Sequence, residues 1–388
     1  MYLHDEFLAD LRTGHNIIAT VYVECGAFYH EHGSENDRAL GEIERVVEIA
    51  QAGEGDRSES QPCAAIVGYV DLTSDDAAAA LARAKTAGAG KLRGIRNIGP
   101  HDDERVLGPV APAPRGLYGS DAFRRGFAAL AEADLSFDAW VLAPQIGEVA
   151  DLARAFPQVP IMLDHVGTPL GIARHRGTLA ATFPDWQRAI RELANCPNVR
   201  VKLGGLGMPF TMFDGLGPTQ RVGSETLARL WQPYIESCIE AFGPDRALFE
   251  SNFPVERWGA DYVETWNAFK RLTQSASADE KSWLFARSAT KFYRLDIPIA
   301  LTAGHGPVAR TKRGPTPACD RSRPSCDGGL CAWVSSGDHA SRRQNRFCTG
   351  SVTFQVPVNP ASTMKASPAL TLTVSPPSAV SSIAPAIR

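Results

Sequence analysis

Pro160-Ile-Met-Leu-Asp-His-Val166 is followed by a helical pattern over Ala180–Asn195 and then by Val199-Arg-Val-Lys-Leu-Gly-Gly205. The two outer runs are short and apolar, and each finishes beside glycine or a polar side chain. The middle segment repeats its apolar positions every three to four residues. Strand, helix, strand in that order is the parallel βαβ unit, because parallel strands need a long crossover between them.

The same alternation extends in both directions. Upstream, strand-like runs cover Ile17–Val23, Ala64–Leu72, Leu92–Ile98 and Leu135–Leu142, and downstream Arg246–Phe253. Helical patterns fall between them at Arg38–Gln51, Ser74–Thr86, Ser120–Glu132, Pro144–Ala155 and Ser224–Ala241. Tyr262–Leu272 and Ala278–Phe292 follow the last strand. Ser74 and Ser224 precede acidic residues and read as N-caps. Ser277 with Glu280 three residues on reads as a capping box.

Seven strands of this kind over roughly 280 residues fit a (β/α)8 TIM-type barrel of about 250 residues better than an open sheet. An open doubly wound sheet predicts a phosphate-cradling turn after its first strand, and Glu24-Cys-Gly-Ala27 lacks that spacing. A barrel needs eight strands. Upstream of Ile17 there is room only for a short helix, Asp5–Leu11, so the missing element is expected to be the first strand, preceding Met1.

Composition divides the 388 residues in two. Residues 1–295 form the barrel domain and 296–388 a tail. From Ile297 onward there are 10 Lys+Arg and 3 Asp+Glu, 11 prolines, and no Glu at all. The tail shows no helical or strand periodicity over most of its length, so a disordered extension is expected. Its cysteines, Cys319, Cys326, Cys331 and Cys348, lack the two close pairs of a zinc ribbon. The tail's positive balance is spread too thinly for a nucleic-acid arm.

The net charge of -3 gives no reason to expect nucleic acid or a membrane as partner. No apolar run approaches the roughly 18–20 residues of a membrane span. Met1–Asp10 has no signal-peptide pattern, and Cys25, Cys63, Cys196 and Cys238 are scattered singly, as reduced thiols are. The expectation is a cytoplasmic protein whose partner is a small-molecule substrate, with a homo-oligomer left open.

In such a barrel the C-terminal ends of the strands face the active site. Those ends supply Glu24, Cys25, Asp71, Arg93, Arg96, Asn97, Asp138, Asp164, His165, Lys202, Glu250 and Asn252. His165 is a metal ligand, a general base, or a satisfied histidine at a strand–loop junction. Asp164, its neighbour, faces the other way by alternation and braces the barrel. Arg93 and Arg96 are candidates to clamp a carboxylate or a lactone carbonyl, or else fill a barrel layer against Glu24 or Asp138. Lys202, a charge in an apolar strand, either polarises a carbonyl or pairs with Glu250. Asn252 is an amide where a proton shuttle would serve, with Glu250 about 7 Å deeper on the same face. Asn97, Asp138 and Glu24 complete the expected substrate-binding set. His30-Glu-His32 lies in a Gly- and Ser-flanked segment and reads as a solvated loop.

Seven motifs in register carry a resemblance. They are Gly14–Gly26, Ile66–Leu72, Arg93-Gly-Ile-Arg96, Leu135–Trp140, Leu163-Asp-His-Val-Gly167, Asn198–Met208 and Phe242–Val255. Over residues 2–295 the chain resembles the amidohydrolase-related family of TIM-barrel metal-dependent hydrolases, in its lactonase-like branch. The resemblance implies hydrolysis of a lactone, a related cyclic ester or an amide by activated water. It matches the family's sixth-strand histidine to His165 and its eighth-strand Asp-x-Pro position to Asn252. The family's first-strand H-x-H pair has no counterpart, so a divalent metal such as zinc, with His165 as a candidate ligand, is poorly provided for. Asn97 stands where relatives often carry His, and Glu256 where an Asp is common. The expected roles are Arg96 on the substrate, His165 on metal or carbonyl, Lys202 on the oxyanion, and Glu250 or Glu256 as proton acceptor. The rival reading is an inactive, truncated barrel remnant.

Overall fold

The computed structural model describes residues 2–53, 60–103, 110–297 and the strand Ser351–Gln355. Its strands are β1 Ile17–Val23, β2 Gln61–Gly68, β3 Leu92–Arg96, β4 Ser136–Ala139, β5 Ile161–Leu163, β6 Val199–Leu203, β7 Ala247–Phe249 and β8 Ser351–Gln355. The helices are α1 His4–Leu11, α2 Glu35–Ala52, α3 Ala77–Ala87, α4 Asp121–Glu132 and α5 Ile146–Ala155. They continue with α6 Leu179–Ala194, α7 Ser224–Phe242, α8 Tyr262–Leu272, α9 Ala278–Ser282 and α10 Ser288–Phe292. A single π-turn, Trp283–Arg287, joins the last two.

Strands β1 to β7 lie in chain order, each parallel to the next, in one curled sheet. The register aligns Arg96 of β3 with Asp138 of β4, and Asp138 with Met162 of β5. From β2 to β7 each strand ends before its apolar run does, so several residues expected on strands stand in the loops just beyond. At the outer edge of β1, β8 pairs antiparallel, with Val21 opposite Val352. That strand lies in the segment expected to be unstructured. Val352-Thr-Phe354 is a short run of β-branched and aromatic residues, the signal passed over there. The remaining tail, with its four cysteines, lies outside the described residues.

Two of the expected N-caps are not formed. Asp76, not Ser74, precedes α3 and makes no side-chain cap. Gly223 precedes α7, and the Ser224 N–H donates to Glu264 Oε2 at 2.5 Å. The Ser277–Glu280 capping box is present in both directions, at 3.2 and 2.7 Å.

The sheet is buried on both faces. The outer layer holds Ile43, Val46 and Ala50 of α2 with Phe123, Phe127 and Leu130 of α4, among others. Full burial of such side chains contributes about 1.5–3 kcal/mol each for the larger ones. The inner layer is a separate cluster. It includes Ala19, Val21 and Val23 of β1, Ala65 and Val67 of β2, Met162 and Leu248, with Ala289, Phe292, Tyr293 and Leu295. A third cluster, Trp140, Leu142, Leu170, Met208 and Phe210, is built from segments that follow β4, β5 and β6. The polar site is placed by these layers at the C-terminal ends of the strands.

Candidate active site

Local backbone geometry decides where His165 points. β5 stops at Leu163, and His165, Val166 and Thr168 then take positive φ values of 54°, 47° and 45°. Non-glycine residues held this way cost of order 1–3 kcal/mol each and persist where the surroundings over-determine them. Here the Trp186 indole donates to the Val166 carbonyl at 2.8 Å, and the Thr168 N–H to the His165 carbonyl at 2.8 Å. Because the extended backbone ends, strand alternation no longer separates Asp164 from His165. Both enter the polar cluster, where alternation alone set them on opposite faces.

The loop after β6 must come very close to His165. A Cβ at Gly205, whose φ is +72°, would lie 2.5 Å from His165 Cβ and 2.9 Å from its Nδ1. The Gly204-Gly205 pair after Leu203 is therefore a packing requirement.

The cluster contains two linked ion groups. Arg96 Nε meets Glu24 Oε1 at 2.7 Å, its Nη1 meets Asp164 Oδ2 at 3.1 Å, and its Nη2 donates to the Glu24 carbonyl at 2.5 Å. Lys202 Nζ lies 2.8 Å from Asp138 Oδ2, 2.7 Å from Asp164 Oδ1 and 3.9 Å from Glu250 Oε2. All six side chains are buried. Asp164 belongs to both groups. Glu250 extends the second, with Oε1 2.6 Å from His165 Nδ1 and also accepting the His165 backbone N–H at 3.3 Å.

These contacts set the charges. Burial alone would raise the Asp164 carboxyl, but Lys202, His165 and Arg96 outweigh it and hold it down at about 2. Burial prevails at Asp138, which is raised to about 6 against the pull of Lys202. Burial also disfavours the Lys202 ammonium, yet Asp138, Asp164 and Glu250 override it and hold the amine above its usual range. Glu256 accepts the Gly207 N–H at 2.6 Å and the Asn252 amide at 3.3 Å, and burial raises its carboxyl to about 8. It therefore carries a proton at neutral pH.

Several expected site residues have other places. The Arg93 guanidinium turns to the Gly90 and Leu92 carbonyls at the opposite end of β3, so Arg93 is not brought to the cluster. Odd spacing along β3 put the two arginines on different faces. Asn97 Oδ1 accepts the Leu72 N–H at 3.2 Å and braces one loop against another. Asp71 caps its own turn by accepting from the N–H and hydroxyl of Thr73. Lys202, expected on an oxyanion, is enclosed by carboxylates. Asp138, expected to meet substrate, faces Lys202 and Tyr293 instead. Asn252, with φ 49°, donates its amide to Glu256 Oε2 at 3.3 Å.

Three residues escaped the sequence reading. Trp140 packs edge-on to His165 at 6.1 Å, with the Arg96 guanidinium 5.9 Å from its ring. Glu42 accepts from the Tyr22 hydroxyl at 2.7 Å and the Cys25 N–H at 2.8 Å, fixing the turn after β1. Its signal was a carboxylate on the buried stripe that runs through Ala39, Ile43 and Val46 of α2. Tyr293 donates to Asp138 Oδ2 at 2.8 Å.

These side chains do not by themselves make a metal centre. One imidazole nitrogen of His165 faces Glu250, and Asp138 and Asp164 are committed to Lys202 and Arg96. Among the described residues no group of three or more His, Cys, Asp or Glu is set to hold an ion. What the arrangement can do is proton chemistry. A carboxylate on Nδ1 fixes the imidazole tautomer and leaves the Nε2 lone pair for a water.

A family model described as Amidohydrolase matches residues 57–295. The chain is 32% identical over 295 residues to the uncharacterized protein y4mH of Sinorhizobium fredii, covering 76% of this chain and 86% of that one. It is 31% identical over 241 residues to an L-fucono-1,5-lactonase of Burkholderia ambifaria, covering 61% and 72% respectively. Among solved structures it is similar to an amidohydrolase of Burkholderia multivorans with bound zinc, at 29% identity and a TM-score of 0.51, covering 67% of this chain and 81% of that one.

Proposed function

Since this chain belongs to the amidohydrolase family, we propose that it hydrolyses an uncharged lactone of the sugar-acid 1,5-lactone kind. The observation that carries the reading is the His165–Glu250 pair at 2.6 Å, at the C-terminal end of a parallel sheet. The L-fucono-1,5-lactonase name of a relative 31% identical supports the substrate class. The curled sheet is read as the greater part of a (β/α)8 barrel, with the site where such barrels carry it.

His165 Nε2 takes a proton from water as the water oxygen attacks the lactone carbonyl carbon. Glu250 stabilises the imidazolium that forms. As the ring C–O bond breaks, protonated Glu256 supplies the proton to the leaving alkoxide oxygen, and a hydroxy acid results. Glu256 is thus the acid, where the sequence alone allowed it as an acceptor. A proton passing from His165 to Glu256 through water restores both groups. Arg96 and Lys202 position the carboxylates and do not meet the substrate, because Glu24, Asp138, Asp164 and Glu250 already outnumber them. Among the described residues of the cluster, a substrate carboxylate would find both cations engaged and several negative neighbours.

The test is hydrolysis by the full chain of neutral sugar-acid 1,5-lactones beside carboxylate-bearing muconolactones, followed by acid release. Turnover of at least one neutral lactone, lost by about 100-fold or more in His165→Gln, is expected. No turnover above buffer on any lactone would overturn the activity. Faster turnover of the carboxylate-bearing lactones would overturn the substrate class.

A further inference from the structure

Helices α2 to α8 pack into the outer layer, but α10 and the residues just after it turn inward. Phe292, Tyr293 and Leu295 join Val21, Met162 and Leu248 in the interior cluster. Apolar packing there needs only an aromatic ring, and Phe292 supplies one beside it. Tyr293 carries a hydroxyl, and it is fully buried. A buried phenol needs a partner. This one donates to Asp138 Oδ2 at 2.8 Å, the same oxygen that meets Lys202 Nζ at 2.8 Å. The other oxygen of Asp138 accepts no hydrogen bond among the described residues. The Asp138 carboxylate is thus held through one oxygen by two donors, one of them from the last described turn of the barrel domain.

We propose that Tyr293 is a positioning residue of the active site, its phenol fixing Asp138 and, through it, the Lys202 ammonium between Asp164 and Glu250. The inference rests on the reading that His165 and Glu250 do the chemistry. The groups facing Asp138 are Lys202 from β6, Asp164 after β5, Arg96 in register on β3, and Tyr293 itself. Lys202 in turn faces Glu250, which orients His165. Losing the phenol leaves Lys202 as the one donor, among the described residues, to a carboxylate that burial already presses toward neutrality. When Asp138 takes up a proton, the ammonium loses one of its three carboxylates and is drawn toward Asp164.

Tyr293→Phe in the full chain keeps the ring and removes the donor. A packing role and a positioning role separate by pH. The Asp138 carboxyl is raised in the folded protein, so its contribution to stability is present below the ordinary aspartate range and lost as pH rises through about 6. The phenol supports the ionised form and should be missed chiefly above that point. Urea unfolding is therefore expected to show a small loss in Tyr293→Phe at pH 4.5 and a several-fold larger one at pH 7.5. In the Asp138→Asn background the same substitution should have little further effect at either pH. With a neutral lactone, the acidic limb of kcat set by Asp138 should move up from about 6 by roughly one pH unit, about a fivefold loss at pH 6, with KM unchanged.

A stability loss equal at both pH values, undiminished in the Asp138→Asn background and with an unmoved kcat limb, would overturn the proposal. Absence of lactone turnover in the wild type would refute the activity while leaving the unfolding comparison to decide the role of Tyr293.

Discussion

Replacing Lys202 by Met tests the central electrostatic claim. The side chain keeps its flexibility and most of its length but loses the ammonium that lies 2.7 Å from Asp164 and 2.8 Å from Asp138. Removing one partner of a buried ion pair costs about 3–5 kcal/mol, because the other charge is left without compensation. One share can be traced to Asp164. Its carboxyl lies at about 2 against an ordinary 3.8, which corresponds to roughly 2 kcal/mol. That share is present above the ordinary aspartate range and lost as pH falls through about 2. Lys202 is the leading favourable influence on Asp164, so its removal takes most of that share away.

The rest falls on Asp138. Already at about 6, it moves further up without the ammonium and becomes neutral at ordinary pH. A neutral Asp138 relieves the mutant, so the loss should be largest at pH 8 and clearly smaller at pH 5. Urea unfolding at both values is the assay, with the m-value checked for constancy. About 3–5 kcal/mol at pH 8 corresponds to a fall in Tm of about 6–10 °C for a domain of this size. A loss under about 1 kcal/mol at pH 8, or one that is the same at pH 5, would refute the reasoning.

Other substitutions address the chemistry. Glu250→Gln keeps the shape of the side chain but can donate to Nδ1 and so favour the wrong tautomer. It should lower kcat by about 100-fold or more with KM little changed, as steady-state kinetics on a neutral lactone would show. Glu256 must be protonated to act as the acid, so wild-type activity should decline as pH rises through about 8. In Glu256→Gln that basic limb should vanish along with most of the rate, and a limb that survives would assign the proton elsewhere. Gly205→Ala forces a methyl group against the His165 ring at a positive φ. Its expected cost is about 1–3 kcal/mol in unfolding with at least a tenfold loss of kcat, and near-wild-type kinetics would show that the loop yields.

The fold was legible because parallel strands between helices are long apolar runs with polar ends, a pattern independent of distant partners. Each of β1 to β7 coincides with a run read from the sequence, although β2 begins at Gln61, ahead of the run that opens at Ala64. The early ends of the strands reflect loops that begin before apolarity stops. The clustering was legible for the same reason: Glu24, Arg96, Asp138, His165, Lys202 and Glu250 do come together. Their roles were not, since a role depends on which charge meets which. Lys202 looks like an electrophile until the three carboxylates around it are known. Arg93 failed because it lies at the other end of its strand, and position along a strand cannot be judged before its ends are. Asp164 defied alternation because positive φ at His165 ended the strand one residue early. Tyr293 had no sequence signal beyond an aromatic pair after a helix, and its partner is 155 residues away.

That separation bears on how the protein acquires its structure. Asp138 is made long before Tyr293, so for most of synthesis of the domain this carboxylate lacks one of its two donors. Contacts closed across so much chain are slow to form, since the loop entropy is lost before the contact is gained. The last residues of the domain thus act as a closing bolt. Docking of the segment around Tyr293 supplies the second donor to Asp138, so that carboxylate has both donors only after the chain has been made through residue 293.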